Sequence, residues 1–412
     1  MAKESTFSAI DVGTSKICTL IASFQEGSLK ILGAGITPSE GIRKGLVVNI
    51  DQAREAIKRS VHLAQRTSGR SVNAAYISVT GRHISSVNNR GVVAIPKSDR
   101  MVSSRDLKRV LQSARSITIP NERRLLHVIP RSYTLDGQTG VRNPVGMCGF
   151  RLDVETHIIT AAATSIHNLV KCIRGVGVEV ENLVLEPLAS AEAVIRPEEK
   201  EAGVLLVDIG GGTTDIAIFK EGSIWHTSVL PVGGYQITRD ISIGLGIPWE
   251  MAEGIKKRYG SLLVKSSNSD QQAEPTPLAP GNSYAGLSQD LGDIIRARVD
   301  EIFKLVMLEM PDSKYETIVP AGMVLTGGTA NLPGIDALAQ EVLNLPVRIG
   351  APQGMVGLAD DLHDPAYASS VGLLLWAAHQ QSDEPALPYQ PRLGRRGLAR
   401  RWFSRLKSWL GR

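Results

Sequence analysis

The feature that most restricts what this chain can fold into is a strand–turn–strand segment that occurs twice, separated by roughly half of its 412 residues. Ala9-Ile-Asp-Val-Gly-Thr-Ser-Lys-Ile17 aligns with Leu206-Val-Asp-Ile-Gly-Gly-Gly-Thr-Thr-Asp-Ile216, so that Asp11 answers to Asp208. Each copy opens a similar series of β-rich runs. In the first these are Thr6–Ile10, Lys16–Phe24 and Leu29–Ile36; in the second they are Val204–Val207, Asp215–Phe219 and Ser223–Leu230. A duplicated α/β chain of this kind implies two similar lobes facing one another across a cleft.

A strand that ends in Asp and runs into glycines suits a metal–triphosphate. The carboxylate holds Mg²⁺ through water, and the glycines let backbone N–H groups approach phosphate oxygens. Asp11, Gly13, Thr14, Ser15 and Lys16 have this form, although an ordinary hairpin turn accounts for them equally well. Asp208, Gly210, Gly211, Gly212, Thr213, Thr214 and Asp215 have it more strongly, because three consecutive glycines cost entropy that a plain hairpin does not require. A third turn, Val324-Leu-Thr-Gly-Gly-Thr-Ala-Asn-Leu-Pro-Gly334, sets Gly327, Gly328 and Thr329 between a β run and a helix, where they can pack on adenine and ribose. The sequence has no Walker A run, and Gly175-Val-Gly177 lacks the third glycine of a dinucleotide fingerprint, so the nucleotide site is of the split-cleft kind.

Charge is distributed unevenly. The chain carries +5, yet Arg392, Arg395, Arg396, Arg400, Arg401, Arg405, Lys407 and Arg412 lie together with no acid among them, so the rest carries −3, the difference between +5 and eight. A mildly acidic body with 5% aromatic residues argues against nucleic-acid binding. No apolar run approaches the roughly 18 residues of a spanning helix, and no signal peptide is expected. Three scattered cysteines, Cys18, Cys148 and Cys172, are expected to be buried thiols rather than disulfide or zinc ligands.

At about 100° per residue, Leu398, Trp402, Phe403, Leu406, Trp409 and Leu410 fall within an arc of about 140°, with Arg400, Arg401, Arg405, Lys407 and Arg412 opposite. Such a helix lies in a lipid interface, or else packs its apolar stripe on the body. A Pro-containing linker, Asp383–Gly394, precedes it. Two insertions interrupt the lobes. Arg82–Thr160 mixes strands with a helix at Ser103–Ser116. Pro231–Leu308 carries helical patterns at Gly233–Ile243, Pro248–Tyr259 and Ser288–Met307 around a polar loop, Lys265–Gly286. A helix at Asp51–Gln65 is expected to be capped by Asp51.

The three Gly-rich turns are similar to the phosphate-1, phosphate-2 and adenosine signatures of the actin, sugar-kinase and heat-shock-chaperone superfamily. Glu186-Pro-Leu-Ala-Ser-Ala191 and Ala368–Leu375 resemble its two connecting helices. Within that superfamily nearly the whole chain resembles the bacterial cell-division family FtsA. Asn89-Arg-Gly-Val-Val-Ala-Ile95, Leu126-His-Val-Ile-Pro130 and Asn143-Pro-Val-Gly-Met147 match the pattern of that family's own inserted subdomain. Val232-Gly-Gly-Tyr-Gln-Ile-Thr-Arg-Asp-Ile241 and Ala252-Glu-Gly-Ile-Lys-Lys-Arg-Tyr-Gly260 look like its nucleotide-contacting helices, and the tail resembles its membrane-targeting sequence.

The resemblance implies an α/β, actin-like fold: duplicated RNase H-like lobes around a nucleotide cleft, a family-specific subdomain and a C-terminal amphipathic helix. Residues 1–81 and 161–202, with part of 365–380, would form the first lobe, and 82–160 the inserted subdomain. The second lobe would comprise 203–230 and 309–380, with 231–308 as its own insertion, then a linker at 381–395 and the helix at 396–412. The implied ligands are ATP and Mg²⁺. Asp11 and Asp208 would stand in the Mg²⁺ shell, Gly233 and Gly234 beside the nucleotide, and Glu253 and Lys256 at ribose and purine. Lys16 would contact phosphate, or is an exposed hairpin lysine. Glu186 positions the attacking water or is a buried structural acid, and Asp215 either braces the metal's water or takes part in hydrolysis, which the family performs weakly. The implied partners are FtsZ filaments, further copies of the chain in a polymer, an anionic membrane surface and later division proteins, at the inner face of the cell membrane at the division site. The loop Lys265–Gly286 departs from the more compact run the family keeps where it meets FtsZ. A PilM-type pilus-assembly protein and a sugar-kinase-type enzyme are the alternatives.

Overall fold

The computed structural model describes residues 6–25, 28–96, 99–263, 284–311, 318–357 and 360–382. The tail helix, the linker from 383 onward and most of the loop at 265–286 lie outside the described residues.

Two sheets repeat one plan. The six-stranded sheet runs Glu179–Leu185, Ala74–Val79, Thr6–Val12, Lys16–Gln25, Ser28–Pro38, Met355–Gly357, and the five-stranded sheet runs Val347–Ile349, Met323–Thr326, Val204–Ile209, Thr214–Lys220, Ser223–Leu230. In both, an antiparallel meander of three strands is extended on one side by two parallel ones, and in the first sheet Met355–Gly357 adds a third parallel strand at the other edge. Antiparallel neighbours need only the short turns read from the sequence, whereas the parallel additions arrive through helical crossovers. The helices Glu186–Val194 and Ala368–Ser382 pack together between the lobes.

The inserted subdomain is a separate four-stranded antiparallel sheet, ordered Ile84–Ala94, Arg151–Ala162, Arg123–Leu135, Gln138–Val141. Its own core joins Ile95, Val102, Val110, Ala114, Leu135, Val141, Leu152 and Val154 beneath the helix Ser104–Arg115. Ser103 begins that helix, and the Asp106 carboxylate accepts from the Ser103 N–H at 3.0 Å, a reciprocal cap for a chain end that would otherwise fray. The second insertion contributes helices Gly234–Leu245, Trp249–Tyr259 and Tyr284–Leu308. Leu291, Ile295, Val299, Ile302, Phe303 and Val306 of the last are buried in one core with the five-stranded sheet. Among the described residues no helix is long and apolar enough to cross a membrane.

Four local expectations need correction. The first helix, Ile50–Ser68, is capped by Asn49 rather than Asp51, because the Asn49 side chain accepts from the N–H groups of Asp51 and Gln52, both at 3.1 Å. Tyr284 already begins a helix that was expected to start at Ser288, so the polar loop ends before Gly286. The helix at Ala368 runs to Ser382, past the expected start of the linker at 381. Cys148 is exposed, on a short bridge to Met101 at the rim of the inserted subdomain, while Cys18 and Cys172 are buried.

Candidate functional site

Both motif aspartates sit one residue from the end of a central strand. Asp11 faces Cys18 across its hairpin and Asp208 faces Asp215 across the other, so each strand delivers its carboxylate to the turn. The two turns meet. A Cβ on Gly211 would lie 2.9 Å from Ser15 Cβ, and one on Gly212 2.8 Å from Thr14 Cγ2, so only glycine lets the lobes approach this closely. Gly327 takes the left-handed φ of 86°, and a Cβ there would fall 2.4 Å from Asp208 Oδ1.

A small cavity opens between the turns. Of the residues expected at the site, Asp11, Gly13, Thr14, Ser15, Lys16, Glu186, Asp208, Gly210, Gly211, Thr213, Gly327 and Gly328 line it. Asp215 stands just behind, bonded to the lining residue Thr80, whose hydroxyl donates to its carboxylate at 2.6 and 2.8 Å. Thr214 points away and donates to Val232 O at 2.9 Å.

A second group gathers beside Gly210. Gly234 N–H and Thr329 Oγ1 both donate to Gly210 O, at 2.9 and 3.2 Å, and Gly233 packs on the same carbonyl. Lys256 Nζ donates to Gly234 O at 3.1 Å, Thr238 Oγ1 at 2.7 Å and Glu253 at 2.7 Å. Burial pushes the Glu253 carboxyl up, but Lys256, Thr238 and Lys257 outweigh it and hold the acid below its usual range, so it is ionised. These residues adjoin the carboxylate cavity without lining it.

The electrostatics of the cavity are one-sided. Asp11, Asp208, Asp215 and Glu186 are all buried, and Lys16 is the one cation among the lining residues, its Nζ donating to Ala366 O at 2.5 Å and lying 4.7 Å from the Tyr367 ring centroid. Burial, followed by the charges of Asp215, Asp11 and Asp208, raises Glu186 well above the carboxylate range. Burial also raises Asp215 well above it, against the hydrogen bond from Thr80, and raises Asp208 to about 6 against the bond from Ser190. Glu186 Oε2 has no hydrogen-bond partner among the described residues. It lies in the first turn of Glu186–Val194, where the helix dipole favours an anion.

Sequence reasoning missed the hydroxyls that aim these acids. Asp11 accepts from Ser78, Ser369 and Ser370, each at 2.7 Å, and Asp208 accepts from Ser190 at 2.6 Å. A signal was available for three of them. Ser190, Ser369 and Ser370 are hydroxyls in otherwise small and apolar buried segments, where a polar side chain needs a partner.

Clustered acids, an orphaned carboxylate oxygen and a glycine-walled opening fit a divalent cation with a polyanion. Among the described residues no three His, Cys, Asp or Glu side chains converge tightly enough to hold a metal on their own. A hard cation here would be completed by water and phosphate oxygens, as Mg²⁺ commonly is.

The model of the family "Cell division protein FtsA" matches residues 205–372, and that of the "SHS2 domain inserted in FTSA" matches residues 81–160. The chain is 42% identical to the cell division protein FtsA of Pseudomonas aeruginosa over 375 residues, covering 91% of this chain and 89% of that one. It is 39% identical to that of Neisseria meningitidis, covering 98% and 97%, and 37% identical to that of Bacillus subtilis, covering 92% and 84%. Solved structures agree on the fold. A PilM–PilN type IV pilus biogenesis complex superposes with a TM-score of 0.64 at 16% identity, covering 91% of this chain and 99% of that one. MreB5 of Spiroplasma citri bound to AMPPNP superposes with a TM-score of 0.54 at 16% identity, covering 92% and 98%. The fold is therefore actin-like. The pilus protein shares only that fold, whereas identity along nearly the whole sequence decides the family: this chain belongs to the FtsA family of actin-like cell-division proteins.

Proposed function

We propose that the chain binds Mg²⁺ and ATP in the cleft between its lobes, assembles into a polymer, and holds FtsZ filaments at the inner face of the cell membrane through its basic tail. The observation that carries the nucleotide reading is the set of four buried acids against a single lysine around a glycine-walled cavity. When bound, Mg²⁺ supplies the positive charge that both the carboxylates and a triphosphate require. Asp11, held by three hydroxyls, and Asp208, held by one, would grip it through water. Lys16 would meet the phosphates, the group around Gly234, Lys256 and Thr329 would meet the adenosine, and Glu186 would orient water for a slow hydrolysis.

The tail reading rests on its sequence. Anionic lipid contributes roughly 1 kcal/mol per basic residue near the surface. A single amphipathic helix anchors weakly, so a polymer that presents many tails gains by avidity. In the same reading the second insertion recruits FtsZ and the inserted subdomain recruits later division proteins.

Co-sedimentation tests this. The intact chain, with ATP, should carry FtsZ filaments down with anionic vesicles, and a chain ending at Gln390 should not, while binding nucleotide equally well. Equal retention of FtsZ by both chains, or by neither, overturns the tether.

A further inference from the structure

Glu179–Leu185 is the outer strand of its sheet, so the N–H groups on its free side need partners from elsewhere. At its last residue the partner comes from the inserted subdomain: the Leu185 N–H donates to His127 Nε2 at 3.1 Å. His127 lies in the strand Arg123–Leu135, and its ring meets Trp376 edge to face, with centroids 5.8 Å apart. Leu185 immediately precedes Glu186 and is the N-cap position of Glu186–Val194, a helix without a side-chain cap. Trp376 belongs to Ala368–Ser382, the helix that supplies Ser369 and Ser370 to Asp11. One imidazole therefore touches both helices that bring side chains to the cleft. Burial lowers its pKa to about 4, so near neutrality Nε2 keeps the lone pair that this bond requires.

The same subdomain also grips the second lobe. Ser86 Oγ donates to Thr227 O at 2.9 Å, His157 Nε2 pairs with Thr227 Oγ1 at 2.9 Å, and Arg131 lies over the Trp225 ring at 4.1 Å. These contacts fall on Ser223–Leu230, the strand that leads to Gly233 and Gly234. The subdomain is thus seated on both walls of the cleft.

We infer that His127 is a positioning residue: by holding the Leu185 N–H and packing on Trp376 it fixes the start of the Glu186 helix, which places Glu186 under the control of the inserted subdomain. A ligand that shifts the subdomain then acts on the cleft through this bond. The inference rests on the proposal that Glu186 serves a nucleotide in the cleft.

The test compares the full chain with His127→Leu, which removes the acceptor, and His127→Gln, which retains one. Amide hydrogen exchange is read across 183–194, with and without Mg²⁺ and ATP, alongside phosphate release. His127→Leu should speed exchange at Leu185 and the first helical turn without loosening the five-stranded sheet. It should slow turnover by about two- to tenfold, the span of one neutral hydrogen bond, at unchanged KM. His127→Gln should restore most of both. Unaltered exchange at Leu185 in His127→Leu overturns the inference, as does slower turnover that Gln fails to rescue. Faster exchange with turnover intact, where Glu186→Gln abolishes turnover, also overturns it. If the unmodified chain binds no ATP, the nucleotide reading fails and the positioning of Glu186 for that chemistry falls with it, while the exchange result still reports whether His127 fixes the helix.

Discussion

At two places in this molecule acids drawn largely out of solvent are treated in opposite ways. Behind the cleft, Glu192 accepts from Lys200 at 2.7 Å and from His379 Nδ1 at 2.9 Å. Burial alone would raise its pKa, but these two partners outweigh burial and bring it to about 2. A few residues earlier in the same helix, Glu186 meets three other acids and is raised, as are Asp208 and Asp215. The fold therefore satisfies a partly buried acid where two helices join, and leaves the acids of the cleft unbalanced, as the proposed cation requires. Excess like charge is costly in a low-dielectric interior, and it marks a site better than any single residue does.

The largest test of that contrast concerns the rigidity of the joint. Gly372 packs on the backbone of the Glu186 helix, where a Cβ would fall 1.8 Å from Ala189 O. Gly372→Ala should lower stability to urea by about 3 kcal/mol, the upper range for overpacking. An unchanged midpoint would mean that the joint yields and does not fix Glu192 or Glu186.

Charge-removing substitutions should then have opposite signs in the two places. Glu192→Gln, which strands Lys200, should cost about 1–2 kcal/mol. Asp208→Asn in metal-free, nucleotide-free buffer should instead raise stability by about 1 kcal/mol, because it removes a like charge and retains the acceptor for Ser190. Thermal unfolding of both variants decides the matter, and two losses would erase the contrast.

The smallest effect is on pH dependence. Asp208, Glu186 and Asp215 have raised pKa values in the folded state, so the folded chain binds more protons than the unfolded one. Their stabilising share is full below the ordinary carboxylate range and is lost as pH rises, through about 6 for Asp208. Glu192 behaves conversely, contributing above its ordinary value of 4.5 and losing that share as pH falls toward about 2. Burial lowers the pKa values of His83, His127, His157 and His226, which pull the other way over the same range, so the effect is read against Asp208→Asn. Between pH 5 and 7.5 the metal-free intact chain should lose more stability than that variant, and saturating Mg²⁺ with ATP should shrink the intact chain's loss. An equal change with pH in the two chains would count against the raised pKa of Asp208.

Much of the site was legible because its residues lie in short local patterns: an Asp at a strand end, glycines in the turn, a repeat of the same order half a chain away. What was not legible lies across the fold. Ser78, Ser369 and Ser370 converge on Asp11 from two other elements, and His127 reaches Leu185 from a different subdomain, contacts that no local spacing encodes. The strand Arg123–Leu135 contains Pro130, which ordinarily argues against an interior strand; a register shift beside it accommodates the ring, and its carbonyl is taken by Ser223. At Asn49 the misplaced cap has a local cause. Ile50 is already helical, so the acid after it is a first-turn residue and not the cap.

The most direct test of the account is calorimetric titration of ATP with Mg²⁺ into the intact chain and into Asp208→Asn. The account predicts a single saturable site in the intact chain, dependent on Mg²⁺ and weakened at least tenfold by the substitution, as expected when a charged partner of the cation's shell is lost. Absence of binding, or binding that neither Mg²⁺ nor Asp208 affects, would contradict it.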